Sequence, residues 1–580
     1  MITLRGLTSW LESLTASRCF AYTTIFIVQL KTLWDIWLYR DLSSGDTALY
    51  YFYATLWHTE TGGVLWFSPL YTALFSMFQS LTPDAYTVTI LHRMAINLAV
   101  TLLLLAVARR LLPATIAWCV AAWWAILPIN YDVFFEVHLF AAIPILIVLL
   151  VVSQWPTPWG RGAALALLVG TMCLVRNEFA IPVVVWALIC FLHDVLHARH
   201  EPHPVRALTY LKMYGLPLAA ALILVAAFYI RSHATLPQLA EAFALKHTRN
   251  VCQVYAYSYR EHFHDWTQDP WSHCDDLMLR DFGLRQPSFL QAFARNPAAM
   301  LRFMRWNVRL IPDGIQALLF GATAGSLQPD YLPVRTRWLP ALVLSVAAGV
   351  VIILGATLLW RHRHYWWSSW LEARVWTWAA LLSVTILTIV IMVTQRPRPE
   401  YLYGFAFFAM LLVGMCIFVI AVRWPWWSRL RPLFPVAVIL VLVAVPVRFT
   451  RDYRNADGSA TRELHERYRR LAPFQKLIQG PNTRLLAHGW AQELCLYMAT
   501  HAACQGVEFG DFLARRSSQP SLGRWLDEQS ISLVYVDEYA MSQAETRRFL
   551  HELDESLWRT VAYVDGPSQR WRLLRRTPPE

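Results

Sequence analysis

Asp41-Leu-Ser-Ser-Gly-Asp46-Thr-Ala-Leu-Tyr50-Tyr51 follows directly on the first long apolar run of the chain, residues 19–36. A carboxylate at the mouth of a first hydrophobic helix has no packing reason to be there. It points to chemistry at a water–lipid boundary. The rest of the chain agrees, with 56% apolar residues over 580 positions and long uncharged runs recurring along most of its length. A soluble enzyme of this size would alternate apolar and polar residues to cover its surface. Repeated windows of about 20 apolar residues instead match a hydrocarbon core about 30 Å thick. By that criterion about eleven spans are expected: 19–36, 87–108, 114–129, 138–153, 161–175, 179–193, 213–230, 338–360, 374–394, 401–422 and 432–448. Trp and Tyr crowd their ends, among them Trp34, Trp37, Trp155, Trp159, Trp366, Trp367, Trp424, Trp426 and Trp427, as interfacial belts do.

Arginine sets the expected orientation. Arg5 and Arg18, Arg109-Arg110, Arg161, the basic stretch from Arg199 to Lys212, Arg361 with Arg363, and Arg423 to Arg431 all fall on one side. The positive-inside rule makes that side cytoplasmic. The opposite side receives loop 37–86, loop 129–137, the Arg176-Asn-Glu178 corner, loop 231–337, segment 395–400 and the tail 449–580. The first span lacks a small-residue cleavage site and reads as an uncleaved signal anchor. The net charge of +12 therefore reports topology first and contact with anionic lipid second. No feature suggests nucleic-acid binding.

Three parts are expected. Residues 1–448 form a membrane module with large outer loops at 37–86 and 231–337. Residues 449–478 form a polar linker, and 479–580 a small α/β domain on the outer side. The stretch Trp66 to Phe78 is amphipathic and too short to span, so it is expected along the interface. Asn296 to Leu319 reads as one or two amphipathic helices. In the tail, 484–488 and 532–537 read as buried strands, 492–500, 521–529 and 544–553 as helices, and 560–564 and 571–575 as closing strands. Five cysteines (Cys19, Cys119, Cys173, Cys190, Cys416) belong to spans, where a thiol is a small apolar group. The other four fall as two local outer-side pairs, Cys252/Cys274 and Cys495/Cys504. An oxidising compartment permits disulfides there; free thiols in small cores are the alternative.

Four polar clusters sit at outer span ends. They are Asp46 with Asp41 and Tyr50/Tyr51; Asn130 to His138, which contains Asp132 and Glu136; Arg176-Asn177-Glu178; and Gln395-Arg396-Pro-Arg398-Pro-Glu400-Tyr401. Ionisable groups beside hydrocarbon are costly and generally face a cavity or a partner. Each cluster also has a plain reading. Arg396 and Arg398 could anchor lipid headgroups, Arg176/Glu178 could be a helix-connecting ion pair, and Asp132 a solvated loop residue, which leaves Glu136 the better candidate of its loop. Asp41 could merely end the first helix. His262, His264, Asp265, His273, Asp275 and Asp276 also gather in the second outer loop. Their types suit zinc or manganese, but the spacing matches no template, so a loop covering the site is expected there, with a divalent metal as the weaker alternative and no other cofactor.

In their order and sidedness these motifs resemble the glycosyltransferase C superfamily, the polytopic enzymes that use polyprenyl-phosphate-linked sugars. The resemblance covers nearly the whole chain. It lies in an acidic residue in the first outer loop (Asp46), an interfacial helix in that loop with a Ser-Pro-Leu-Tyr start (Ser68–Tyr71), a second acidic position in the next outer loop (Glu136 or Asp132), an Arg-x-Glu corner (Arg176/Glu178), and an arginine-tyrosine entry to a late span (Arg398 to Tyr401, with Arg396 upstream). The extracytoplasmic α/β tail also fits. The most similar members in style are the bacterial ones akin to protein mannosyltransferases and lipid A aminoarabinose transferases, although Gly45-Asp46 stands where those carry an Asp-Glu pair. The resemblance implies a bacterial inner-membrane enzyme that moves a sugar from a polyprenyl phosphate to a hydroxyl on a glycolipid, polysaccharide or protein. Asp46 is the expected general base. Arg396, Arg398, Arg176 and Tyr401 are expected on the donor phosphate, and Glu136, Asp132, Glu178, Tyr50, His138 and Glu400 on sugar, acceptor or the arginines themselves. The alternative is a transporter or flippase of a lipid-linked saccharide. Transporters generally show repeated halves and broken midplane helices, and this chain shows no repeat.

Overall fold

The computed structural model describes residues 12–34, 46–58, 67–82, 84–127, 136–198, 205–231, 235–263, 265–324 and 338–424, and most of the secondary structure between 474 and 576. Along the chain, helices run over Arg18–Thr32 (α1), Asp46–Thr55 (α2), Pro69–Gln79 (α3), Ala85–Leu111 (α4), Ala114–Ala125 (α5), Glu136–Gln154 (α6), Pro158–Leu174 (α7), Ala180–Ala198 (α8) and Val205–Arg231 (α9). They continue over Leu236–Phe263 (α10), Pro270–Phe282 (α11), Phe289–Arg295 (α12), Pro297–Phe320 (α13), Trp338–Arg361 (α14), Val375–Thr394 (α15) and Tyr403–Arg423 (α16). The tail follows with β1 (Thr483–Ala487), β2 (Cys504–Glu508), α17 (Leu522–Glu528), β3 (Leu533–Val536), α18 (Ala544–Glu552), β4 (Trp558–Asp565) and β5 (Arg570–Arg576). The chain divides into two compact units, Met1–Trp34 with Ala95–Ala456, and Asp35–Met94 with Asp457–Glu580.

Among the described residues seven helical segments of 18 to 25 residues are long and apolar enough to cross a bilayer: Thr87–Leu111, Val137–Gln154, Asn177–Asp194, Lys212–Arg231, Trp338–Arg361, Glu372–Thr394 and Tyr403–Arg423. The chain is therefore a polytopic helical membrane protein. Three other expected spans fall on shorter helices, α1 with 15 residues, α5 with 12 and α7 with 17. The expected span at 432–448 lies outside the described residues.

Among the described residues segment 231–337, expected as the second outer loop, folds as four helices, α10 to α13, and local chemistry sets their ends. Ser288 and Gln291 form a capping box at the start of α12, satisfying two otherwise orphaned backbone donors. Asn296 accepts from the Ala299 amide at 3.1 Å and Pro297 occupies the first turn of α13, while Gly321, at φ +62°, closes it. The single 24-residue α13 spans the whole stretch for which one or two helices are expected. Cys252 on α10 and Cys274 on α11 are disulfide-bonded with Cα atoms 5.4 Å apart, within a core that includes Tyr255, Met278 and Phe303.

One contact fixes α13 against the connection between α15 and α16. A Cβ on Gly314 would lie 2.1 Å from the Pro397 carbonyl oxygen, so only glycine permits this approach. Gly314→Ala is expected to cost about 1–3 kcal/mol by overpacking against backbone that cannot rotate away, read as a lower thermal midpoint of the detergent-solubilised protein.

The tail carries a five-stranded sheet in the order β2-β1-β3-β5-β4. β1 runs parallel to β2 and β3, and β5 antiparallel to β3 and β4. Leu486, Val534, Val536 and Leu574 face Trp525, Leu526 and Trp558 in one core, the α/β layer that the strand and helix pattern predicts. β2 is an addition. Cys504-Gln-Gly-Val-Glu508 contains one β-branched residue, too little for a sequence signal, yet it pairs with β1 along its full length. Cys504 at its start is bonded to Cys495.

Candidate functional site

Within the first unit three interhelical corners meet: the start of α6, the turn between α7 and α8, and the connection between α15 and α16. Arg176 is at the centre. Its Nε donates to Glu178 Oε1 and its Nη1 to His138 Nε2, and its guanidinium lies 5.5 Å from the Tyr401 ring centroid. A guanidinium has no acceptor, so His138 accepts on Nε2 and carries its proton on Nδ1. His138 meets Tyr401 edge to face, with centroids 4.7 Å apart. Arg398 pairs with Glu400 at 3.6 Å, and Glu400 is buried. Burial raises the Tyr401 phenol above its ordinary value, and the Arg398 and Arg176 cations oppose that shift.

His138, Arg176, Glu178, Glu400 and Tyr401 line a narrow cavity of about 40 Å³ with Thr388, Leu387 and Ile391, which is room for a few waters. Arg176, Arg398 and Lys246 of α10 all act electrostatically on His138, and Glu178 and Glu400 supply the nearby negative charge. Among the described residues Arg176 is paired with Glu178 and Arg398 with Glu400, so two guanidinium–carboxylate pairs stand beside apolar walls. Arginine forks match the oxygens of a phosphate.

Arg396 takes a different course. It is buried, donates to Glu261 Oε1, and stacks 4.9 Å from the Tyr257 ring centroid. Both partners come from α10. Asn307 of α13 reinforces this seam, donating from Nδ2 to the Val393 carbonyl at 3.0 Å and accepting from Ser258 of α10 through Oδ1 at 3.2 Å. Arg396 is thus engaged by the second outer loop, whereas Arg398, 22% exposed at its side chain, borders the cavity cluster. Lys246, Tyr257 and Glu261 were not among the candidates from sequence. They are eleven and then four residues apart, close to whole turns of a 3.6-residue helix, so a polar stripe along α10 is the signal that could have found them.

The first outer loop belongs to the other unit. Asp46 is the first residue of α2. Tyr50 is buried between Phe67 and Tyr71, with both ring centroids 5.0 Å away. α2 and α3 are bolted together by Trp57 Nε1 donating to Thr72 Oγ1 at 2.8 Å, and by Gln79 Nε2 donating to the Tyr51 carbonyl at 3.0 Å. His92 of α4 stacks flat on Phe75 at 4.0 Å. Burial raises the Tyr51 phenol, Asp84 adds to the shift, and Gln79 opposes it, so Tyr51 stays protonated. Glu136 is the first residue of α6, and Asp132 lies outside the described residues.

The acidic and histidine cluster of the second outer loop is spread among separate partners. Asp275 faces Arg249 at 3.4 Å and Gln286 at 3.3 Å, the Tyr259 hydroxyl donates to Asp265, and His262 packs on Trp306. Among the described residues the one group close enough to share an ion is Cys252, Cys274 and Asp275, and its two sulfurs are bonded to each other.

No family model matches the chain, and no curated protein matches it. Among solved structures it is similar to an oligosaccharyltransferase of Archaeoglobus fulgidus. Against the crystal structure of that protein with zinc and sulfate, the match has 12% identity and a TM-score of 0.42, covering 95% of this chain and 72% of that one. Against the apo form the identity is 12% and the TM-score 0.37, with 90% and 70% covered.

Proposed function

We propose that the protein is an integral-membrane glycosyltransferase that moves a sugar from a polyprenyl-phosphate donor to an acceptor hydroxyl on the outer face of a bacterial inner membrane. The observation that carries this reading is the cluster of Arg176, Arg398, His138 and Tyr401 at the meeting of three interhelical corners, with two guanidinium groups held there by Glu178 and Glu400. A sugar leaving a lipid phosphate places growing negative charge on the phosphate oxygens, and fixed cations aimed at that charge lower the barrier. In this scheme the acceptor oxygen attacks the anomeric carbon as its proton passes to the Asp46 carboxylate. The bond from that carbon to the phosphate oxygen breaks, and its electron pair leaves with the polyprenyl phosphate. In-line displacement inverts the anomeric centre. Arg398 and Arg176 bind the phosphate, Glu178 and Glu400 orient the two arginines, and Glu136 or His138 contacts the sugar. Arg396 holds the connection in place through its Nη2 donating to Glu261.

The reading is tested with the full chain in nanodiscs and a panel of radiolabelled polyprenyl-phosphate sugars, with membrane extract as acceptor, scoring release of polyprenyl phosphate. Release by the wild type identifies the donor and the enzyme class. No release from any donor by folded protein, together with passage of lipid-linked saccharide across vesicles, would replace this reading with a transporter. Arg398→Gln is expected to lower kcat about 10²-fold, the usual cost of removing one preorganised donor from developing negative charge. Arg398→Lys, which keeps the charge but loses the fork, is expected to fall between the two. Equal turnover of all three would remove Arg398 from the phosphate site.

A further inference from the structure

Helix α13 presents an outward face that the reaction does not use. Arg302, Arg305 and Arg309 are exposed on it, with Leu301 56% and Val308 48% exposed between them. The opposite face, with Met300, Phe303, Trp306, Asn307 and Leu310, is buried. Among the described residues none of the three arginines makes an ion pair. Positive-inside counting assigns this loop to the side where arginine is disfavoured, so topology signalling does not account for them.

The depth of the helix is set by two hydrogen bonds. Asn307 Nδ2 donates to the carbonyl of Val393, the residue before the end of α15 at Thr394. Gln316 Nε2 donates at 3.0 Å to Ser345 Oγ, seven residues inside α14. α13 therefore crosses the end of one span near Asn307 and then dips between others. Arg305 and Arg309 are two residues either side of Asn307, about 3 Å along the axis, and Arg302 is five residues back, about 7.5 Å. The headgroup zone on each side of the hydrocarbon is about 5–8 Å deep. All three guanidinium-bearing positions fall within or beside it.

We infer that the outward face of α13 is a docking surface for the phosphate headgroups of anionic phospholipid. Unpaired arginines at i, i+3 and i+7 meet the phosphates, while Leu301 and Val308 meet the glycerol and upper acyl region. The surface seats the second outer loop on the bilayer. Because Gly314 of the same helix abuts Pro397, it also steadies the connection that carries Arg396 and Arg398.

The test measures binding, not sugar transfer, so it is independent of the proposed activity. Full-length protein in neutral detergent is titrated with fluorescent phosphatidylglycerol and phosphatidylcholine. Wild type is compared with the triple variants Arg302→Gln/Arg305→Gln/Arg309→Gln and Arg302→Lys/Arg305→Lys/Arg309→Lys. The wild type is expected to prefer phosphatidylglycerol, and the glutamine variant to bind it between tenfold and about a hundredfold more weakly, at up to about 1 kcal/mol per arginine. The lysine variant is expected to keep the preference, with all three proteins sharing one thermal midpoint. An unchanged preference in the glutamine variant would move the lipid site to the cytoplasmic basic loops and overturn the inference. Loss in the lysine variant as well would overturn the charge argument. Displacement of the lipid by millimolar inorganic phosphate would show a small-anion site in place of a bilayer contact.

Discussion

Asp46→Asn is expected to slow sugar transfer by 10²–10⁴-fold while leaving donor binding and folding as they are. The range is the usual contribution of a positioned general base and corresponds to about 3–5 kcal/mol of transition-state stabilisation. Asparagine matches aspartate in size and serves nearly as well at a helix start, and Asp46 opens α2, so the fold has no reason to respond. The amide cannot take a proton from the acceptor hydroxyl. Single-turnover release of polyprenyl phosphate, measured beside donor affinity, separates the two effects. Near-wild-type turnover would remove Asp46 from the base role. A loss of donor affinity equal to the loss of rate would make it a binding residue.

Arg396→Ala is expected to have the largest effect on stability, about 3–5 kcal/mol. The side chains of Arg396 and Glu261 are 2% and 9% exposed. Removing the cation leaves Glu261 with its charge poorly solvated and vacates the face of Tyr257. Glu261→Ala is expected to cost a similar amount for the converse reason. Arg396→Met with Glu261→Leu is expected to recover most of the loss, because a well-packed apolar pair often replaces a buried ion pair at little or no cost. A thermal-midpoint cycle over the four proteins gives the coupling. If the single variants melt with the wild type, the pair is not a strut, and Arg396 returns as a candidate for the phosphate.

Much of the secondary structure is legible in the sequence because the hydrophobic pattern is strong. α14, α15 and α16 are long apolar runs, and the tail strands are short apolar stretches bounded by polar turns. β2 has no such pattern and exists because β1 offers a partner edge. The site is legible in part. Arg176, Glu178, His138, Arg398, Glu400 and Tyr401 stand out as ionisable or polar groups at span ends, and the fold gathers them. That Arg396 turns away from this cluster is not legible, since its partner is 135 residues distant and nothing in the Arg-Pro-Arg spacing says which arginine goes where. Lys246, Tyr257 and Glu261 share a helix that carries many other polar side chains, so their common face shows only once the helix has something to face.

The seam between α13 and the end of α15 also sets an order of events during synthesis. Asn307 and Val393 are 86 residues apart. At about 5–20 residues per second, α13 leaves the ribosome roughly 4–17 seconds before its partner. Cys252 and Cys274, separated by 22 residues, are both synthesised before α15, so α10 and α11 can be joined without waiting for it. The last two described spans follow the rest of this seam in synthesis, and truncation before α15 is expected to leave Glu261 and the buried face of α13 open to chaperones and proteases.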